Sequence, residues 1–338
     1  MSTFAIGVDL GGTNLRIAAV DERGTLLEKT TTGTQVARGR DFVINEMCDA
    51  IRATVTKFSS SALAGIGIGV PGIIDMETGM LRESPNLPGW DDYPVRDEIE
   101  RRLGTKVILE NDANSAALGE KWLGAAREYD DMLMLTLGTG VGGGIVLGGR
   151  VWHGARGMAG EPGHITVEPD GPPCPCGNRG CLEQLASATA VVRMGREAIV
   201  KGSSPALARV AQSNDGLTAK DVYQMAVQGD SAAQQIYRRV GWALGVGLAD
   251  LINLLNLPMY VIGGGGSNAW DAFLPALLEE VRKRSFVYRA TAPDAPGFGT
   301  KTIITRALLG GDAGLFGAAR LPMLAAEGSP FEGVRQRA

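Results

Sequence analysis

The chain has 338 residues, of which 21% are charged, and its formal net charge is −4. This length predicts two domains or lobes, each able to bury a core. The charge balance is ordinary for a cytoplasmic protein and argues against a nucleic-acid-binding surface. Because the chain opens directly into a strand pattern at Phe4, no signal peptide is expected. The longest apolar stretch, residues 242–257, contains Asp250 and Asn253 and is too short and too polar to span a bilayer.

The 48 glycines are the compositional anomaly, and they cluster at strand ends and before helices. Glycine allows a backbone to approach a ligand or another backbone closely, so this distribution indicates ligand-binding turns and tight packing. Gly241 and Gly245 in the apolar stretch predict a core helix that packs closely on a neighbour.

The first part of the chain reads as a β-meander with a glycine-rich first turn, followed by alternating helices and strands. The predicted elements are strands at 4–10, 15–20 and about 26–31, a helix at about 40–58, a strand at 65–70, an ordered loop at 75–96, a helix near 94–103, a strand at 106–109 and a helix from Glu110-Asn111-Asp112 to about 123.

The second part repeats the opening unit of strand, glycine turn and strand, which predicts a second lobe related to the first. Thr218-Ala-Lys-Asp221 is typical of a capped helix start. The predicted elements are strands at 132–137 and 144–147, a helix at 182–200, a loop-rich region at 202–218, a long helix at about 231–256, a strand at 259–262, a helix from about 267, a strand at 301–306, a loop at 310–312 and a final helix.

A cysteine block is the most specific feature of the sequence. Cys174, Cys176 and Cys181 lie within eight residues, and His164 precedes them by ten. One imidazole and three thiolates complete a tetrahedral zinc shell with no position for water, so the predicted metal is structural. A disulfide is the alternative, but Cys-x-Cys is a poor disulfide spacing. Cys48 lies in the apolar stripe of a helix and is expected to be a buried thiol.

Glycine-rich turns are the second chemical signal. Asp9-Leu-Gly11-Gly12-Thr13-Asn14 combines a carboxylate, bare backbone amides and a hydroxyl, which together can form an anion nest. Asp9 could hold Mg²⁺, most simply through water. A second nest is expected at Gly138-Thr139-Gly140, and residues 263–266 form a third turn between a strand and a helix. Each could be only a hairpin turn, but the three together favour nucleotide phosphate binding.

Two other nucleotide-binding classes are excluded by context. Gly138, Gly140 and Gly143 fit G-x-G-x-x-G, but a strand follows them where the dinucleotide fingerprint requires a helix. No G-x-x-x-x-G-K-[ST] loop is present. A nucleotide enzyme with this sequence must therefore hold phosphates in another way.

Asp112 follows a buried strand and starts a helix. It is expected to be an N-cap carboxylate, a base directed at a hydroxyl, or both, because the positive helix end favours a negative charge. A weak base suffices for phosphoryl transfer, whose loose transition state depends mainly on positioning. His153 has no ligand spacing and is interpreted as a surface or packing residue.

Six motifs occur in an order found in a known family. They are Asp9-Leu-Gly-Gly-Thr13, Gly69-Val-Pro-Gly72, Glu110-Asn-Asp-Ala-Asn114, Leu137-Gly-Thr-Gly-Val-Gly142, Gly160-Glu-Pro-Gly-His164 and Cys174-x-Cys-Gly-x-x-Gly-Cys-x-Glu183. Over about residues 4–320 the chain resembles the ROK family (repressors, open reading frames and sugar kinases), most closely its bacterial glucokinases. The cysteine block is highly specific, whereas the glycine turns alone are weak signals.

The resemblance implies an α/β fold of the actin-like ATPase (ribonuclease H-like) class, with two lobes around a central cleft. The final helix is expected to return to the first lobe. The expected bounds are 1–115 with about 310–326 for the small lobe, 116–309 for the large lobe with the zinc loop at 164–183, and 327–338 for a flexible tail.

The resemblance also implies roles at matching positions. Asp112 would be the base facing the sugar 6-hydroxyl, and His164 would bind zinc through one ring nitrogen and sugar through the other. The other sugar-binding residues would be Gly72, Asn86, Asn111, Glu161 and Glu183. The residues facing ATP, with Mg²⁺, would be Asp9, Gly11, Gly12, Thr13, Asn14, Thr139, Gly140, Gly264 and Gly265.

The family includes transcriptional repressors, which carry a winged-helix domain before the first strand. Only eight residues precede Asp9, so a sugar kinase is expected rather than a sugar-sensing regulator. The cysteine block favours an aldohexose, with glucose first, while N-acetylglucosamine, N-acetylmannosamine, mannose and fructose stay open. Polyphosphate could replace ATP in relatives. A cytoplasmic homodimer is expected, with no nucleic-acid or membrane partner.

Overall fold

The computed structural model describes residues 3–214 and 216–327. The strands are β1 (Thr3–Leu10), β2 (Asn14–Asp21), β3 (Leu26–Gly33), β4 (Ala62–Val70), β5 (Ile73–Asp75), β6 (Met80–Glu83), β7 (Ile108–Asn111), β8 (Met132–Leu137), β9 (Val141–Leu147), β10 (Arg150–Val151), β11 (Met259–Gly263) and β12 (Ile303–Arg306). The α-helices are α1 (Arg40–Lys57), α2 (Val95–Leu103), α3 (Asp112–Trp122), α4 (Glu183–Ala186), α5 (Ala188–Val200), α6 (Pro205–Ser213), α7 (Ala219–Val227), α8 (Ser231–Leu255), α9 (Trp270–Arg284), α10 (Phe286–Thr291) and α11 (Ala313–Ala326).

The chain divides into two compact units. Unit 1 contains the residues up to Asp130, Gly144–Gly160 and the residues from Gly311 onward, and unit 2 contains Asp131–Gly143 and Glu161–Gly310. The expected first boundary at 115 differs from this division. Helix α3 stays in unit 1 because it packs closely on α11, where a Cβ at Gly119 would lie 2.1 Å from the Ala313 carbonyl oxygen. The predicted tail at 328–338 lies outside the described residues.

Unit 1 is built on a five-stranded sheet of order β3-β2-β1-β4-β7. Strand β1 is antiparallel to β2 and parallel to β4, and β7 is parallel to β4. The sequence of β4 alternates glycine with isoleucine and valine, so its two faces differ. Ile66, Ile68 and Val70 enter a core that includes residues of α1, whereas the glycine face lies against α11. A Cβ at Gly67 would lie 1.9 Å from the Ala318 carbonyl oxygen.

The second five-stranded sheet has the order β10-β9-β8-β11-β12, and β11 is parallel to β8 and β12. Strand β9 begins in unit 2 and continues into unit 1. Within unit 2, α8 packs on α9, and the predicted role of its glycines is confirmed. A Cβ at Gly241 would lie 2.2 Å from the Phe273 carbonyl oxygen, and one at Gly245 would lie 2.7 Å from that of Leu277.

Most long elements match their predictions, and the capping box at Thr218 and Asp221 is confirmed. Three local predictions were wrong. The predicted loop at 75–96 contains β6, which pairs with β5. The region predicted as loop-rich contains α6, whose start is capped by Ser204 with Pro205 in the first turn. The predicted helix at 182–200 is divided into α4 and α5, because Ser187 is extended and caps α5 by accepting from the Ala190 amide. Among the described residues, none of the helices combines the length and apolar character needed to cross a bilayer.

The contact between β4 and α11 generates a stability prediction. Gly67→Ala should lower the free energy of unfolding by about 1–3 kcal/mol, because the added methyl group cannot fit against helix backbone. Gly299→Ala is the matched control, since a Cβ at Gly299 would have no neighbour within 4 Å. Urea unfolding of both variants checks the prediction, which fails if the two lose equal stability.

Candidate functional site

The turn from β7 into α3 places Asn111 and Asp112 in unit 1. Asn111, not Asp112, caps α3, because its Oδ1 accepts from the amides of Ala113 (2.9 Å) and Asn114 (3.1 Å). The alternative of Asp112 as N-cap is therefore wrong. Asp112 is the first residue of the helix, and its Oδ1 also accepts from the Ala113 amide, at 2.9 Å. The carboxylate thus lies at the positive end of an 11-residue helix.

Glu110 supports this turn from the preceding position, although the sequence offered no reason to single it out. Its side chain is only 2% exposed. Oε1 accepts from the Asn111 amide (2.9 Å) and from Asn114 Nδ2 (3.0 Å). His153 Nε2 donates to Oε2 at 2.6 Å. His153 was interpreted as a surface or packing residue, and it is half-buried and bonded to Glu110 of β7, the strand that directly precedes Asp112.

The other predicted sugar-binding positions of unit 1 lie beside two of these elements. Asn111 Nδ2 donates to the Gly72 carbonyl at 3.1 Å. Gly72 has φ 120°, and a Cβ there would lie 2.2 Å from the Glu83 carbonyl oxygen, so only glycine fits. The Asn86 loop lies against the first glycine turn, since a Cβ at Gly12 would be 2.7 Å from the Asn86 carbonyl oxygen.

The first glycine turn joins β1 to β2. The Gly11 amide donates to the Asn14 carbonyl at 2.9 Å, and the Thr34 hydroxyl donates to the Gly11 carbonyl at 2.6 Å. Thr13 and Asn14 are exposed at the end of the turn. The turn is therefore held by its own backbone and by Thr34, and its outer side is available to a ligand.

Asp9 at the end of β1 is paired with Arg16, whose guanidinium donates to Oδ2 at 2.8 Å. Burial raises the pKa of Asp9, the nearby charge of Asp312 acts in the same direction, and Arg16 opposes both. Arg16 also donates to the Gly311 carbonyl at 3.1 Å. The pair places one carboxylate and one guanidinium beside the turn, a combination suited to a metal-bound phosphate.

The predicted zinc ligands lie together in unit 2. The ligand atoms of His164, Cys174, Cys176 and Cys181 are all within 4.8 Å of one another. Cys176 Sγ lies 3.7 Å from Cys181 Sγ, and Cys174 Sγ lies 3.7 Å from His164 Nδ1. The alternative of a disulfide needs about 2.05 Å between sulfurs, so it does not describe this arrangement.

These distances fit a tetrahedral zinc shell. With Zn–S bonds of about 2.3 Å and Zn–N bonds of about 2.0 Å, tetrahedral angles separate the ligand atoms by about 3.5–3.8 Å. His164 presents Nδ1 to the cluster, so Nε2 is the nitrogen left for another partner. In the absence of metal, burial and the neighbouring thiols raise the pKa of Cys181 to about 12. Metal binding would therefore release protons from this cluster.

Backbone contacts shape the loop that carries the cysteines. The Cys174 amide donates to the Asn178 carbonyl at 2.8 Å, and the Gly180 amide donates to that of Pro172 at 2.8 Å. Gly180 has φ 64°, and a Cβ there would lie 1.5 Å from the Glu168 carbonyl oxygen. The cysteine block thus folds as a tight loop with a backbone frame of its own.

Glu183 connects this loop to the second glycine turn. Its Oε2 accepts from the Val141 amide at 3.0 Å, and a Cβ at Gly140 would lie 2.3 Å from the same oxygen. The turn itself closes through the Gly138 amide, which donates to the Gly140 carbonyl at 2.9 Å. One predicted sugar-binding carboxylate therefore lies against a predicted phosphate-binding turn.

Glu161 precedes a short 3₁₀ helix, Pro162–His164, and its carbonyl accepts from the His164 amide at 3.1 Å. Although the residue as a whole is exposed, partial burial of the carboxyl group raises its pKa. The charge of His164 opposes this shift, and that of Glu183 adds to it. The Glu161 carboxyl group therefore lies near enough to His164 and Glu183 to be affected by their charges.

A cavity of about 740 Å³ lies in unit 2 beside Thr139, and sequence reasoning did not find it. The Thr189 hydroxyl donates to the Thr139 carbonyl at 2.8 Å, which joins the glycine turn to α5. The walls combine apolar and basic side chains from α5 and the start of α7. Besides Thr139 and Thr189, the lining residues are Ala188, Val192, Arg193, Arg196, Glu197, Val200, Lys201, Leu217, Thr218 and Ala219.

The third glycine turn, at the end of β11, passes close to β8. Gly264 has φ 75°, and a Cβ there would lie 2.4 Å from the Leu137 carbonyl oxygen, whereas Gly265 has open space around its Cα. A 3₁₀ helix, Gly265–Ala269, follows the turn, and α9 begins only at Trp270. The predicted helix start near 267 is therefore a 3₁₀ segment.

A comparison with protein families decides the relationship. The model of the ROK family matches residues 5–323. The chain is a member of the ROK family. A glucokinase of Thermotoga maritima is 42% identical over 94% of this chain and 96% of its own length.

Solved ROK structures show the same fold. A ROK hexokinase from Thermus thermophilus has 34% identity and a TM-score of 0.80, covering 96% of this chain and all of its own. A ROK family glucokinase from Streptomyces griseus, solved in complex with glucose and AMPPNP, has 35% identity and a TM-score of 0.74, covering 94% of this chain and 98% of its own. The predicted family and the actin-like ATPase fold class of this ROK protein are confirmed.

Proposed function

We propose that this ROK protein is an ATP-dependent glucokinase that transfers the γ-phosphoryl group to the 6-hydroxyl of glucose. The β7–α3 turn carries the proposal, because Asn111 caps the helix and Asp112 stands beside it at the positive helix end. The identity with a glucokinase over nearly the whole of both chains supports the choice of reaction and sugar.

Asp112 acts as the base in this proposal. Its carboxylate accepts a hydrogen bond from the sugar 6-hydroxyl, orients the oxygen toward the γ-phosphorus, and takes the proton as the new P–O bond forms and the bond to ADP breaks. The helix end favours the negative charge that this role requires. Because phosphoryl transfer depends mainly on positioning, the fixed backbone of the turn is as important as basicity.

The remaining sugar hydroxyls have partners of matching chemistry. In this proposal Asn111, Gly72 and the Asn86 loop offer polar groups from unit 1, and Glu161, His164 and Glu183 offer donors and acceptors from unit 2. His164 would use Nε2 for the sugar, since Nδ1 faces the cysteines. This arrangement would link metal and substrate through one imidazole ring.

The proposed ATP site uses the glycine turns and the cavity beside Thr139. In this proposal Gly11, Gly12, Thr13 and Asn14 face phosphate oxygens from the first turn, which the Gly11 amide closes, while Thr139 and Gly140 face them from the second turn and Gly264 and Gly265 face the adenosine. The cavity has apolar walls for a base and cations for phosphates or ribose. Bound Mg²⁺ would neutralise phosphate charge. Asp9 is the carboxylate placed to hold it through water.

The four-ligand cluster binds structural zinc in this proposal. Because four protein ligands leave no open position, His164, Cys174, Cys176 and Cys181 would hold zinc as a structural ion that orders the loop ending in Glu183. The protein would act in the cytoplasm as a homodimer, a state that light scattering can test.

An ADP-release assay with ATP, Mg²⁺ and a panel of sugars tests the proposal. The panel contains glucose, mannose, fructose, N-acetylglucosamine and N-acetylmannosamine, and polyphosphate replaces ATP in a parallel set. We expect the highest kcat/KM with glucose and ATP. A preference for an N-acetyl sugar would leave the proposed phosphoryl transfer unchanged but would change the proposed substrate at its 2-position. Sugar binding without turnover on either donor would contradict the kinase assignment and favour a sensor.

Substitution of the proposed base gives the second prediction. Asp112→Asn and Asp112→Ala should lower kcat by about 10²–10⁴-fold, the range for loss of a general base, while sugar binding is partly retained. Asp97→Asn is the matched control, because Asp97 is an exposed acid in the first turn of α2. Steady-state kinetics and glucose calorimetry distinguish the effects. Near-normal turnover of the Asp112 variants would remove this residue from the mechanism.

The metal cluster gives the third prediction. The purified protein should contain about one zinc per chain. Cys176→Ser should lose most of this zinc, because the site has four protein ligands and no further one to replace the lost thiolate. Its glucose Kd should rise by about 10–100-fold, since His164 loses its orientation. Cys48→Ala, which removes a buried thiol from α1, is the control. Metal analysis and calorimetry check this, and a zinc-free variant with unchanged affinity would contradict it.

A further inference from the structure

The two carboxylate oxygens of Glu110 accept hydrogen bonds from different parts of the structure. Oε1 bonds to the Asn111 amide and Asn114 Nδ2, both at the start of α3, whereas Oε2 bonds to His153. Asn114 is 3% exposed and Glu110 1% exposed, so the carboxylate and its amide partner are removed from water, whereas the His153 side chain is half-buried. A buried carboxylate needs a donor on each oxygen, and His153 supplies a donor for Oε2.

His153 reaches Glu110 from a fixed backbone. It is the second residue after β10, and the amide of the intervening Trp152 donates to the Ile145 carbonyl at 2.8 Å. The Ala159 amide donates to the His153 carbonyl at 3.1 Å and closes the loop that follows. Because backbone hydrogen bonds hold the main chain just before and at His153, the imidazole is held in one place and can fix the orientation of the Glu110 carboxylate.

The Glu110 carboxylate is one of several groups that fix Asn111, the residue directly before the proposed base. Asn111 is also held by strand pairing with Val70 and by the bond from its Nδ2 to the Gly72 carbonyl, but the Glu110 carboxylate is the group that binds its backbone amide from a side chain. If His153 Nε2 were lost, the Glu110 carboxyl group would rotate toward another donor and loosen its bond to the Asn111 amide. A single hydrogen bond to a buried carboxylate adds only modest net stability, so geometric control is the more specific role.

We propose that His153 is a positioning residue for Asp112 and Asn111, acting through Glu110. The inference rests on the proposed kinase function for the role of Asp112. It predicts that the donor atom at Nε2 is required, whereas the imidazole ring as such is not.

The test compares two variants of His153. His153→Leu keeps volume but removes the donor, and His153→Gln places an amide donor near the position of Nε2. We expect His153→Leu to lower kcat by about 10–100-fold, the effect of a misplacement of roughly 1 Å at the reacting groups. The KM for ATP should stay within about twofold, because the phosphate turns are separate in sequence. His153→Gln should recover kcat to within about threefold of the wild type.

Two further variants distinguish positioning from a general loss of stability. Glu120→Gln changes another fully buried carboxylate of α3, one that accepts from the Ala125 amide at 2.8 Å. It should lower the melting temperature and leave kcat per glucose-binding site unchanged. In a Glu110→Gln background, His153→Leu should lower kcat further by less than about threefold, because both residues act through one contact.

Glucose calorimetry tests the positioning role of His153 without depending on kinase activity. His153→Leu should raise the glucose Kd by about fivefold, the effect of roughly one hydrogen bond, and His153→Gln should restore it. If the wild type binds glucose without turnover, the kinase proposal fails, and the Kd series still tests the positioning role. Wild-type kcat and Kd in His153→Leu, failure of His153→Gln to restore either, or an equal kcat loss in Glu120→Gln would each overturn the inference.

Discussion

Backbone amides at the ends of strands and glycine turns need acceptors, and this requirement organises both parts of the candidate site. In unit 1 the acceptors are Asn111 Oδ1 and Glu110 Oε1, and in unit 2 the acceptor is Glu183 Oε2. An unpaired buried amide costs free energy, so these side chains have little freedom before any ligand arrives. The polar groups proposed to bind sugar are thereby held in place by the same bonds that end the secondary structure.

Long periodic elements could be predicted because their signals are local and repeated. The alternation of β4 and the apolar stripe of α8 extend over many residues, so a single irregular position does not obscure them. Short elements were harder. Helix α6 has only nine residues in a region rich in serine and glycine, and the break at Ser187 depends on one side chain capping α5. The choice of Asn111 over Asp112 as the cap is decided by backbone angles at a single residue, which composition does not reveal.

In the candidate site, too, features within one segment could be predicted and contacts between distant segments could not. The grouping of His164 with three cysteines could be predicted because the cysteines lie within one loop of unusual composition. The pair of Glu110 and His153 could not be predicted, because 43 residues separate them and neither has a characteristic spacing. The cavity beside Thr139 depends on the packing of α5 against the start of α7, a tertiary contact that no local motif encodes. The boundary of unit 1 likewise depends on the contact of α3 with α11.

The path of the chain has a consequence for synthesis on the ribosome. Strands β1 and β4 are made early, but α11, which covers their glycine face, is made near the end. At about 5–20 residues per second, roughly 12–50 seconds pass between the synthesis of β4 and that of this helix. During this interval an apolar surface that includes Ala5 and Ala18 lacks its partner. Nascent chains of this protein should therefore be clients of chaperones that protect exposed sheet faces, and truncation before residue 313 should yield aggregates rather than a smaller folded domain.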